Sequence, residues 1–440
     1  MANVMRLEPM DAGKPDFLRG DPITGDRYFS KEFADLEWRH MWTKIWHVAG
    51  RESDLPEAGD WITHHFHRES IVVVRQDDGS LKAFYNACQH RGNRLVWAKD
   101  GHGVFTCSYH GWQYGTDGRL EIVQDPDDFV DGDPSGRVSL VEVQCDTWGG
   151  FVWYTMDPDA SSLADFLNPI PDLTRTRDLD QMVRVVWRTF TVDANWKFAS
   201  DNFNESYHLP TVHPQLATTT DEDYKNTIFE SYASGHNRMI EQGQPSMRAP
   251  SPNEVEEPFD QMLRDWELDP KDFEGRSRDG RLALQKQRRE LGPKRGFKHF
   301  DRYEDEELTD FFHHTLFPNI TITATAEGAH FFRTEPDPSD PEKCTFDYWF
   351  LAPKIEGQDA VTTICGIRPF EEASHEFIEY GSGAIIDDMM DSFLVQDLSV
   401  AVGQQNGFHS RGYKDAILSG QESRVRRFHE IINDYIEGRR

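Results

Sequence analysis

The sequence predicts an α+β protein with two domains, a small antiparallel β domain and a larger antiparallel sheet covered by helices. Three observations support this prediction. The chain has 440 residues, which is enough for two hydrophobic cores. Short strands separated by turns fill residues 46–160, and a second series of strands leads into two long helical stretches. Strands in series followed by helices are typical of a sheet with helices on one face.

The first 45 residues are expected to form an arm that ends in a helix and packs on the second domain. Ser30 stands at the position of an N-cap. The apolar face of this helix is formed by Phe33, Leu36, Trp38 and Met41. Residues 1–29 contain no apolar signal-peptide region, and no stretch reaches the roughly 18 apolar residues of a membrane span. We therefore expect a cytoplasmic protein without a membrane partner.

Composition narrows the possible partners and the cellular compartment. The 47 Lys and Arg residues stand against 77 Asp and Glu residues, a net charge of -30. Such a charge argues against nucleic acid or an anionic membrane as a partner. The five cysteines are Cys88, Cys107, Cys145, Cys344 and Cys365. Their scattered positions fit no disulfide framework and favour a reducing cytoplasm.

The small domain is predicted to span residues 46–160. Its first strands are expected at Ile45–Arg51, Trp61–Phe66, Ile71–Arg75 and Leu81–Ala87, and its last at Trp148–Trp153. Residues 157–171, which are rich in Asp, Ser and Pro, mark the boundary to the second domain, 161–440.

The second domain is predicted from a series of strands that ends in two helices. The strands are expected at Gln181–Val192, Thr227–Tyr232, Ile320–Thr325, His330–Thr334, Thr345–Leu351 and Val361–Arg368. The helices are expected at Ser374–Gln405 and Gln421–Glu437. Residues 242–310 form a long charged insertion with a helical piece at Leu282–Leu291, and a functional lid and a surface insertion both remain open interpretations.

Two short motifs, which we call the Cys/His loops, carry the first chemical signal. Cys88 and His90 are followed by a glycine, and Cys107 and His110 are followed by another. Two thiolates and two imidazoles are the ligand set of a Rieske [2Fe-2S] cluster, with cysteine on one iron and histidine on the other. A tetrahedral zinc site accepts the same ligand types. Zinc fingers, however, usually pair cysteine with cysteine and histidine with histidine, whereas both loops here are mixed.

A second candidate metal site follows at residues 205–213. Glu205 and His208 are neighbours on one face of a helix. On the same regular helix His213 would point elsewhere, so we expect Pro210 to end or kink the helix and let both imidazoles converge. Two histidines and a distant carboxylate form the facial triad of non-haem Fe(II) oxygenases. Buried histidines with ordinary hydrogen bonds are the alternative.

Asp397 is the carboxylate that most needs a metal. In the predicted helix it projects from the middle of an apolar stripe formed by Ile386, Met390, Phe393, Leu394 and Ala401. Asp388 lies on the opposite side, and Asp387 and Asp391 lie toward the flanks. Burying a carboxylate is costly unless it is paired or bound to metal. A buried salt bridge or a helix-cap role is the alternative for Asp397.

These motifs together resemble the Rieske non-haem iron oxygenases, specifically the terminal oxygenase alpha subunit of the aromatic-ring-hydroxylating family. The resemblance implies that Cys88, His90, Cys107 and His110 hold the [2Fe-2S] cluster and that His208, His213 and Asp397 hold a mononuclear Fe(II). Respiratory Rieske proteins have an additional cysteine in each loop, which is absent here. Fewer hydrogen bonds to the sulfurs, and a low reduction potential, are therefore expected.

The resemblance also assigns a role to Glu205. In the family this position is usually Asp, and it joins the iron-ligand histidine to the Rieske histidine of a neighbouring chain. Glu205 is therefore expected to link His208 to the partner subunit's His110. A glutamate here resembles the branch of the family that oxidises quaternary ammonium compounds such as carnitine and choline. Gln396 is a departure, because the family usually has Glu before the Asp of this helix.

The expected function is that of an oxygenase component. Electrons from NAD(P)H would arrive through a separate reductase, with or without a ferredoxin, because the chain has no G-x-G-x-x-G motif after a strand. With O2, the enzyme would hydroxylate an aromatic or other apolar small molecule. The candidate pocket aromatics are Phe198, Phe203, Tyr207, Phe311, Phe312 and Phe317. The resemblance implies a homotrimer or a trimer of alpha–beta pairs.

Three alternatives stay open from the sequence. A mono-oxygenase of the same family could perform N- or O-dealkylation or oxidise a quaternary amine. A zinc-stabilised binding protein would keep the Cys/His loops but would not need His208, His213 and Asp397. A plain Rieske electron carrier would need only the first domain.

Overall fold

The chain folds into two compact units, which we describe from a computed structural model that covers residues 8–10, 18–379 and 389–440. The small unit is Trp38–Phe166, and the large unit comprises Met1–Glu37 and Leu167–Arg440. The expected arm of 45 residues is therefore divided after Glu37, and residues 161–166 belong to the small unit instead of the second domain.

The small unit is built from antiparallel strands. These are β1 (Trp46–Arg51), β2 (Asp60–Phe66), β3 (Glu69–Arg75), β4 (Leu81–Tyr85), β5 (Asp100–His102), β6 (Phe105–Thr106), β7 (Gln113–Tyr114), β8 (Leu120–Ile122), β9 (Glu142–Trp148) and β10 (Phe151–Thr155). Seven strands form one sheet in the order β1-β10-β9-β4-β3-β2-β5, and β6-β7-β8 form a second. The predicted last strand, Trp148–Trp153, is wrong because Gly149 and Gly150, at φ 64° and 73°, make the turn between β9 and β10.

The two sheets present the Cys/His loops in different settings. The second loop joins β6 to β7, which pair with each other as a hairpin. The first loop follows β4, and an isolated antiparallel bridge between Ala87 and Arg94 closes it. Only the second loop is therefore the tip of a strand hairpin.

The large unit is centred on an eight-stranded sheet. Its strands are β11 (Val183–Val192), β12 (Ile228–Ser231), β13 (Asn237–Glu241), β14 (Phe311–Leu316), β15 (Ile320–Ala324), β16 (Ala329–Pro336), β17 (Cys344–Ala352) and β20 (Glu376–Glu379), with β18 (Ala360–Thr363) and β19 (Gly366–Pro369) as a separate hairpin. The order is β12-β13-β14-β15-β16-β17-β11-β20. All neighbouring strands in this sheet are antiparallel except β11 and β20, which are parallel.

The helices precede, interrupt and follow this sheet. They are α1 (Lys31–Glu37), α2 (Leu163–Leu167), α3 (Ile170–Leu173), α4 (Lys197–Phe203), α5 (Leu209–Val212), α6 (Phe259–Asp265), α7 (Asp279–Leu291), α8 (Met389–Phe408) and α9 (Ser423–Ile436). None of the helices in the described part of the chain has the length and apolar character needed to cross a bilayer. The predicted α+β class, with an antiparallel sheet and helices, is confirmed.

Two predicted elements of the large unit are wrong. In the described part of the segment expected as one helix from Ser374, Glu376–Glu379 is instead β20, aligned with β11, and Met389–Phe408 is the helix α8. The ring of His375 stacks on Trp187 of β11 at 4.0 Å, which supports this pairing. Asp387 and Asp388 lie outside the described residues. The expected single strand Val361–Arg368 folds back between β18 and β19, where Gly366 has φ 87°.

The arm is anchored in the large unit by buried polar contacts. Ser30 Oγ accepts a hydrogen bond from the N–H of Phe33 at 3.2 Å and so caps the start of α1. At the end of α1, the fully buried Lys197 pairs with Glu37 at 2.8 Å. Because Lys197 begins α4, this contact fixes the start of the helix that leads to the candidate iron site.

The long insertion has a core of its own. Phe259, Leu263, Leu284 and Phe300 pack together with Ala326, which lies in the turn between β15 and β16. The predicted helical piece is present as α7. Among the described residues, none from 243–310 lines the apolar cavity beside the candidate iron site. The insertion is therefore a packed part of the large unit.

Candidate metal centres

The two Cys/His loops have the same backbone turn. The N–H of Gly92 donates to the carbonyl of Cys88 at 2.8 Å. In the second loop the N–H of Gly111 donates to the carbonyl of Cys107 at 3.0 Å. Both glycines are left-handed, with φ values of 75° and 68°, which other residues rarely adopt. The glycine behind each histidine is thus required by the turn that presents the ligands.

The side chains of the two loops meet at one place in the small unit. Cys88 and Cys107 are buried in the same hydrophobic cluster. The imidazole rings of His90 and His110 lie 4.6 Å apart at an angle of 70°. Among the described residues, the buried Nδ1 of His90 has no hydrogen-bond partner. A metal bond would supply that partner, so the donor set fits a metal cluster.

Two side chains donate hydrogen bonds to the sulfurs. The hydroxyl of Tyr114 accepts from the N–H of Gln89 at 3.0 Å, so its own proton is available for Cys88 Sγ at 3.3 Å. The amide of Asn93 donates to Cys107 Sγ at 3.6 Å. Such bonds stabilise the more negative, reduced form of a cluster. The sequence analysis did not anticipate Tyr114, because this residue lies in β7 and outside both loops.

The two thiols differ in their readiness to lose a proton. Burial raises the pKa of Cys88. Burial also acts upward on Cys107, but hydrogen bonds from the backbone N–H of Tyr109 and from Asn93 outweigh it and lower its pKa. Because metals bind the thiolate, Cys107 is the better prepared ligand of the two.

The expected helix through Glu205 and His208, ended or kinked by Pro210, is wrong, because both residues lie between two separate helices. α4 ends at Phe203, and Pro210 lies in the first turn of the separate helix α5. Proline is accepted there because the first N–H groups of a helix need no partner within it. His208 precedes α5 and His213 follows it, and their ring centroids lie 5.5 Å apart. A helix break before His208 therefore brings the imidazoles together, while Pro210 starts a helix.

Hydrogen bonds at Nδ1 orient both imidazoles. Glu205 Oε1 accepts from His208 Nδ1 at 2.7 Å. Gln396 Oε1 accepts from His213 Nδ1 at 2.8 Å. An Nδ1 bound in this way carries the ring proton and leaves the Nε2 lone pair available for a metal. The two Nε2 atoms lie 3.9 Å and 2.8 Å from Oδ1 of Asp397, on α8.

The carboxylate of Asp397 completes a compact donor group. One donor atom each from His208, His213 and Asp397 lies within 4.8 Å of the others. Asn202 also donates to Asp397 Oδ1, at 2.9 Å. Two imidazoles that are oriented through Nδ1, together with one carboxylate, fit the facial triad of a non-haem iron site.

The electrostatics of this donor group favour a cation. Burial acts to lower the pKa of His208, but the hydrogen bond that His208 donates to Glu205 and the charges of Glu205 and Asp397 outweigh it and raise the pKa. The carboxylates thus stabilise positive charge at the imidazole. A bound metal ion would take the place of the proton.

An apolar cavity of about 180 Å³ opens beside the three residues. Its apolar wall includes Phe203, Leu216, Phe311, Phe332, Phe393 and Leu394. A cavity of roughly 150 Å³ can hold a benzene-sized molecule, so this one can hold a small organic compound. Of the predicted pocket aromatics, Phe203 and Phe311 line this cavity. Phe198, Tyr207, Phe312 and Phe317 do not.

Comparison with known protein families shows which family the chain belongs to. The family profile "Ring hydroxylating alpha subunit (catalytic domain)" matches residues 179–438, more than half of the chain. The chain belongs to this family. A second profile, "Rieske [2Fe-2S] domain", matches residues 45–130. The resemblance drawn from the motifs is confirmed, and the family's cofactors are the two that were predicted, a Rieske [2Fe-2S] cluster and a mononuclear iron.

Relatives with named activities include both mono- and dioxygenase subunits. The carnitine monooxygenase oxygenase subunit of Escherichia coli (strain K12) is 33% identical over 214 residues, 47% of this chain and 56% of the relative. The anthranilate 1,2-dioxygenase large subunit of Acinetobacter baylyi is 34% identical over 207 residues, 45% of this chain and 43% of the relative. The chain thus spans about half the length of the relatives it matches.

Solved structures share the fold over nearly the whole chain. A quaternary ammonium Rieske monooxygenase superposes with a TM-score of 0.67 at 20% identity, covering 98% of this chain and 99% of that one. Naphthalene 1,2-dioxygenase from a Rhodococcus species superposes with a TM-score of 0.62 at 20% identity, covering 94% of each chain. This chain therefore has the fold of both.

Several residues of the site escaped the sequence analysis. Asn202 binds Asp397, although it is a polar residue without a motif of its own. The amide oxygen of Gln396 accepts from both His213 and Gln215. Glu241 lines the cavity from β13, a strand that was not predicted. Such roles depend on contacts between distant segments, which a single sequence does not display.

Proposed function

We propose that this alpha subunit is the oxygenase component of a multicomponent Rieske oxygenase. The small unit would hold a [2Fe-2S] cluster through Cys88, His90, Cys107 and His110. The large unit would hold one Fe(II) through His208, His213 and Asp397. When bound, these groups supply electron transfer and dioxygen activation. The observation that carries the proposal is the convergence of two imidazoles and one carboxylate beside an apolar cavity.

The protein's own groups would prepare the reaction by orientation and exclusion of water. Glu205 and Gln396 hold the ligand histidines through Nδ1, so that both Nε2 atoms stay directed at Asp397. The apolar wall would bind the substrate next to these atoms and keep bulk water out. Substrate placement and metal geometry would thus be set by different residues.

Glu205 is proposed to have a second role. Its Oε1 accepts from His208 Nδ1 and its Oε2 accepts from the His208 N–H at 3.1 Å, but each carboxylate oxygen can accept a further hydrogen bond. We infer that this capacity accepts an N–H from the partner subunit's His110. The support is the family resemblance and a related structure whose description includes inter-subunit electron transfer.

The electrons are proposed to come from NAD(P)H through a separate reductase, with or without a ferredoxin. The sequence motif of a dinucleotide site is absent from the chain. A homotrimer, or a trimer of alpha–beta pairs, is the proposed assembly. We place the protein in the cytoplasm because, among the described residues, its five cysteines form no disulfide.

Two substrate classes are candidates for this function, a small apolar or aromatic molecule first and a quaternary amine second. The apolar wall of the cavity favours the first. Glu205 in place of the family's usual Asp favours the second. So do relatives named carnitine monooxygenase and glycine betaine monooxygenase oxygenase subunits.

The test is product analysis with isotopically labelled dioxygen, a surrogate reductase and NADH, over aromatics, amines and ethers. We expect label in at least one product, as one atom for a mono-oxygenase and two for a dioxygenase. The His213→Ala variant is the control and should give none. Absence of labelled product from protein that contains both irons would contradict the proposal for the compounds tested, and zinc in place of iron would contradict it altogether.

A further inference from the structure

Glu241 places a buried carboxylate in the wall of the apolar cavity. The residue ends β13 and is 2% exposed. Its Oε2 accepts a hydrogen bond from His313 Nε2 at 3.1 Å. Its Oε1 has no hydrogen-bond partner among the residues that the structure describes. A buried carboxylate oxygen without a hydrogen-bond partner lowers the stability of the folded state, unless a bound ligand supplies that partner.

His313 does not need a charge to make its contacts. Its Nε2 donates to Glu241, and its Nδ1 accepts from the hydroxyl of Thr323 at 2.9 Å. A neutral imidazole satisfies both bonds. In the sheet, His313 lies opposite Thr323, and Thr323 lies opposite His330. Because His313 can stay neutral, it does not cancel the negative charge of the Glu241 carboxylate. That charge lies on the side of the cavity that is formed by the sheet.

The charges around the cavity leave Glu241 without a counter-ion. The described lining of the cavity contains three carboxylates and neither lysine nor arginine. Glu205 and Asp397 are engaged with the ligand histidines, and a divalent metal ion there would balance their charge. His330 stays neutral near pH 7 because burial lowers its pKa to about 4. Among the described residues, Glu241 thus has no ion-pair partner that carries a permanent charge.

A nearby buried arginine does not take this role. Arg424 donates to the side chain of Asn237 at 2.7 Å and to that of Asn204 at 3.2 Å. It forms no ion pair with Glu241 among the described residues, and it does not line the cavity. Its buried charge attracts Glu241, but among the described residues no hydrogen bond joins Arg424 to Oε1 of Glu241.

The aromatic residues of the cavity wall provide a surface that accepts an organic cation. Phe203 and Phe332 stack with ring centroids 4.6 Å apart, and both line the cavity. Phe311 and Phe393 line it as well. The faces of aromatic rings attract alkylammonium groups. An anion beside several phenyl rings is a suitable environment for a positively charged nitrogen with apolar substituents.

We propose that Glu241 is a specificity-determining residue that binds the positively charged nitrogen of the substrate, and that the substrate is therefore a small organic cation. The cation is a quaternary ammonium or a protonated amine, which share this chemistry. The inference deepens the proposed oxygenase function, and it concerns binding instead of turnover. It also decides against a neutral aromatic hydrocarbon as the natural substrate.

The test compares ligands that differ only in charge. Equilibrium dialysis of the iron-loaded protein measures binding of choline, of dimethylaminoethanol, and of the neutral isostere of choline in which a tert-butyl group replaces trimethylammonium. We expect at least one cation to bind about tenfold or more tightly than the isostere. Glu241→Gln should remove that preference and leave binding of the isostere unchanged.

A matched control separates the effect of this charge from a general effect. Glu230 is a partly buried carboxylate on the neighbouring strand β12, paired with Arg238 and absent from the cavity wall. Glu230→Gln should keep the preference for the cation. Should Glu241→Gln fail to fold, Glu241→Asp retains the charge and should retain the preference. A preference for choline identifies a quaternary substrate, and one for dimethylaminoethanol a protonated amine.

Three results would overturn the inference. The first is equal binding of cations and isostere by the wild-type protein. The second is an unchanged preference in a folded Glu241→Gln variant, and the third is the same loss in Glu230→Gln. Each of these results contradicts only the inference about Glu241. If label from dioxygen still enters a neutral product, the oxygenase proposal is retained. A failure of the oxygenase proposal would show instead as missing iron or missing label, with cation binding intact.

Discussion

The two candidate metal sites differ in how far apart their ligands lie along the chain. The Cys/His loops of the small unit offer neighbouring residues, whereas the site of His208, His213 and Asp397 in the large unit combines distant segments. The loops repeat one turn, closed in both cases by the N–H of a left-handed glycine that donates to the carbonyl of a cysteine. The other site joins His213 to Asp397, 184 positions away. Its ligands are held by side chains from two separate segments, Glu205 and Gln396.

This difference indicates how each site responds to change. A loop that makes its own hydrogen bonds needs only its own residues and the strands that carry it. The triad needs α8 to remain packed against the segment around α5, because Asp397 and Gln396 both come from that helix. The two sites should therefore be lost independently of each other.

The largest expected effect is the loss of the cluster in His110→Ala. Removing one of four ligands should abolish the visible absorption of the [2Fe-2S] group while the mononuclear iron remains, as measured by absorption spectroscopy and metal analysis. His102→Ala is the control, because His102 is an exposed histidine of the same unit that pairs with Asp60 at 2.9 Å. An unaltered spectrum in His110→Ala would refute the assignment.

The reciprocal change is Asp397→Ala. Loss of the carboxylate should weaken iron binding in the large unit by more than about 100-fold, since even changes in residues that support a metal ligand cost roughly 10–100-fold. The visible spectrum of the cluster should not change. Ser399→Ala, at an exposed position on the same helix, should retain the iron. Simultaneous loss of both metals in Asp397→Ala would contradict the independence of the two sites.

Glu205→Ala tests the proposed contact between the mononuclear iron site and the partner subunit's His110. Both irons should stay bound, and turnover with the surrogate reductase should fall at least about 10–100-fold. Gln396→Ala is the comparison, because it removes the equivalent bond to His213 without a proposed link to the partner subunit. A larger loss of turnover in Glu205→Ala than in Gln396→Ala is expected. Equal losses would reduce Glu205 to an orienting residue.

Tyr114→Phe sharpens the account of the small unit. The variant loses the hydroxyl that donates to Cys88 Sγ. The reduction potential of the cluster should fall by about 60 mV, the one-electron equivalent of roughly 1.4 kcal/mol for one hydrogen bond to a charged sulfur. Tyr85→Phe, in the other hydrophobic cluster of this unit, should leave the potential unchanged. Protein-film voltammetry or a redox titration would measure both.

The smallest effect concerns acid stability of the large unit. Burial lowers the pKa of His299 to about 4, whereas an unfolded histidine titrates near 6.5. The unfolded state binds more protons between these values, so stability falls as the pH drops from about 6.5 to 4. The shift corresponds to at most about 3 kcal/mol. The free energy of unfolding of His299→Gln, measured with denaturant, should depend less steeply on pH than that of the wild-type protein. An identical slope for the two proteins would contradict this prediction.

The small unit could be predicted largely from sequence. The turn that presents each pair of ligands is encoded by neighbouring residues, and glycine is needed where the backbone is left-handed. The strands between Trp46 and Tyr85 were predicted from alternation and turn residues for the same local reason. What remained hidden was Tyr114, whose contact with Cys88 spans 26 positions.

The large unit required the tertiary structure. The residue types at 208, 213 and 397 indicated a metal site, but the break before His208 and the orienting roles of Gln396 and Asn202 arise from packing of distant segments. The segment after Ser374 shows why. Its composition permits a helix, and pairing with β11 makes it a strand instead.

The sequence by itself thus determined which chemical groups this protein can offer to metals, because ligand types and local turns are properties of neighbouring residues. The tertiary structure alone decided which groups face the cavity and which are already satisfied by partners. Oε1 of Glu241 is the clearest case, because it has no hydrogen-bond partner in the described part of the chain and its surroundings are assembled from strands that are far apart in the sequence.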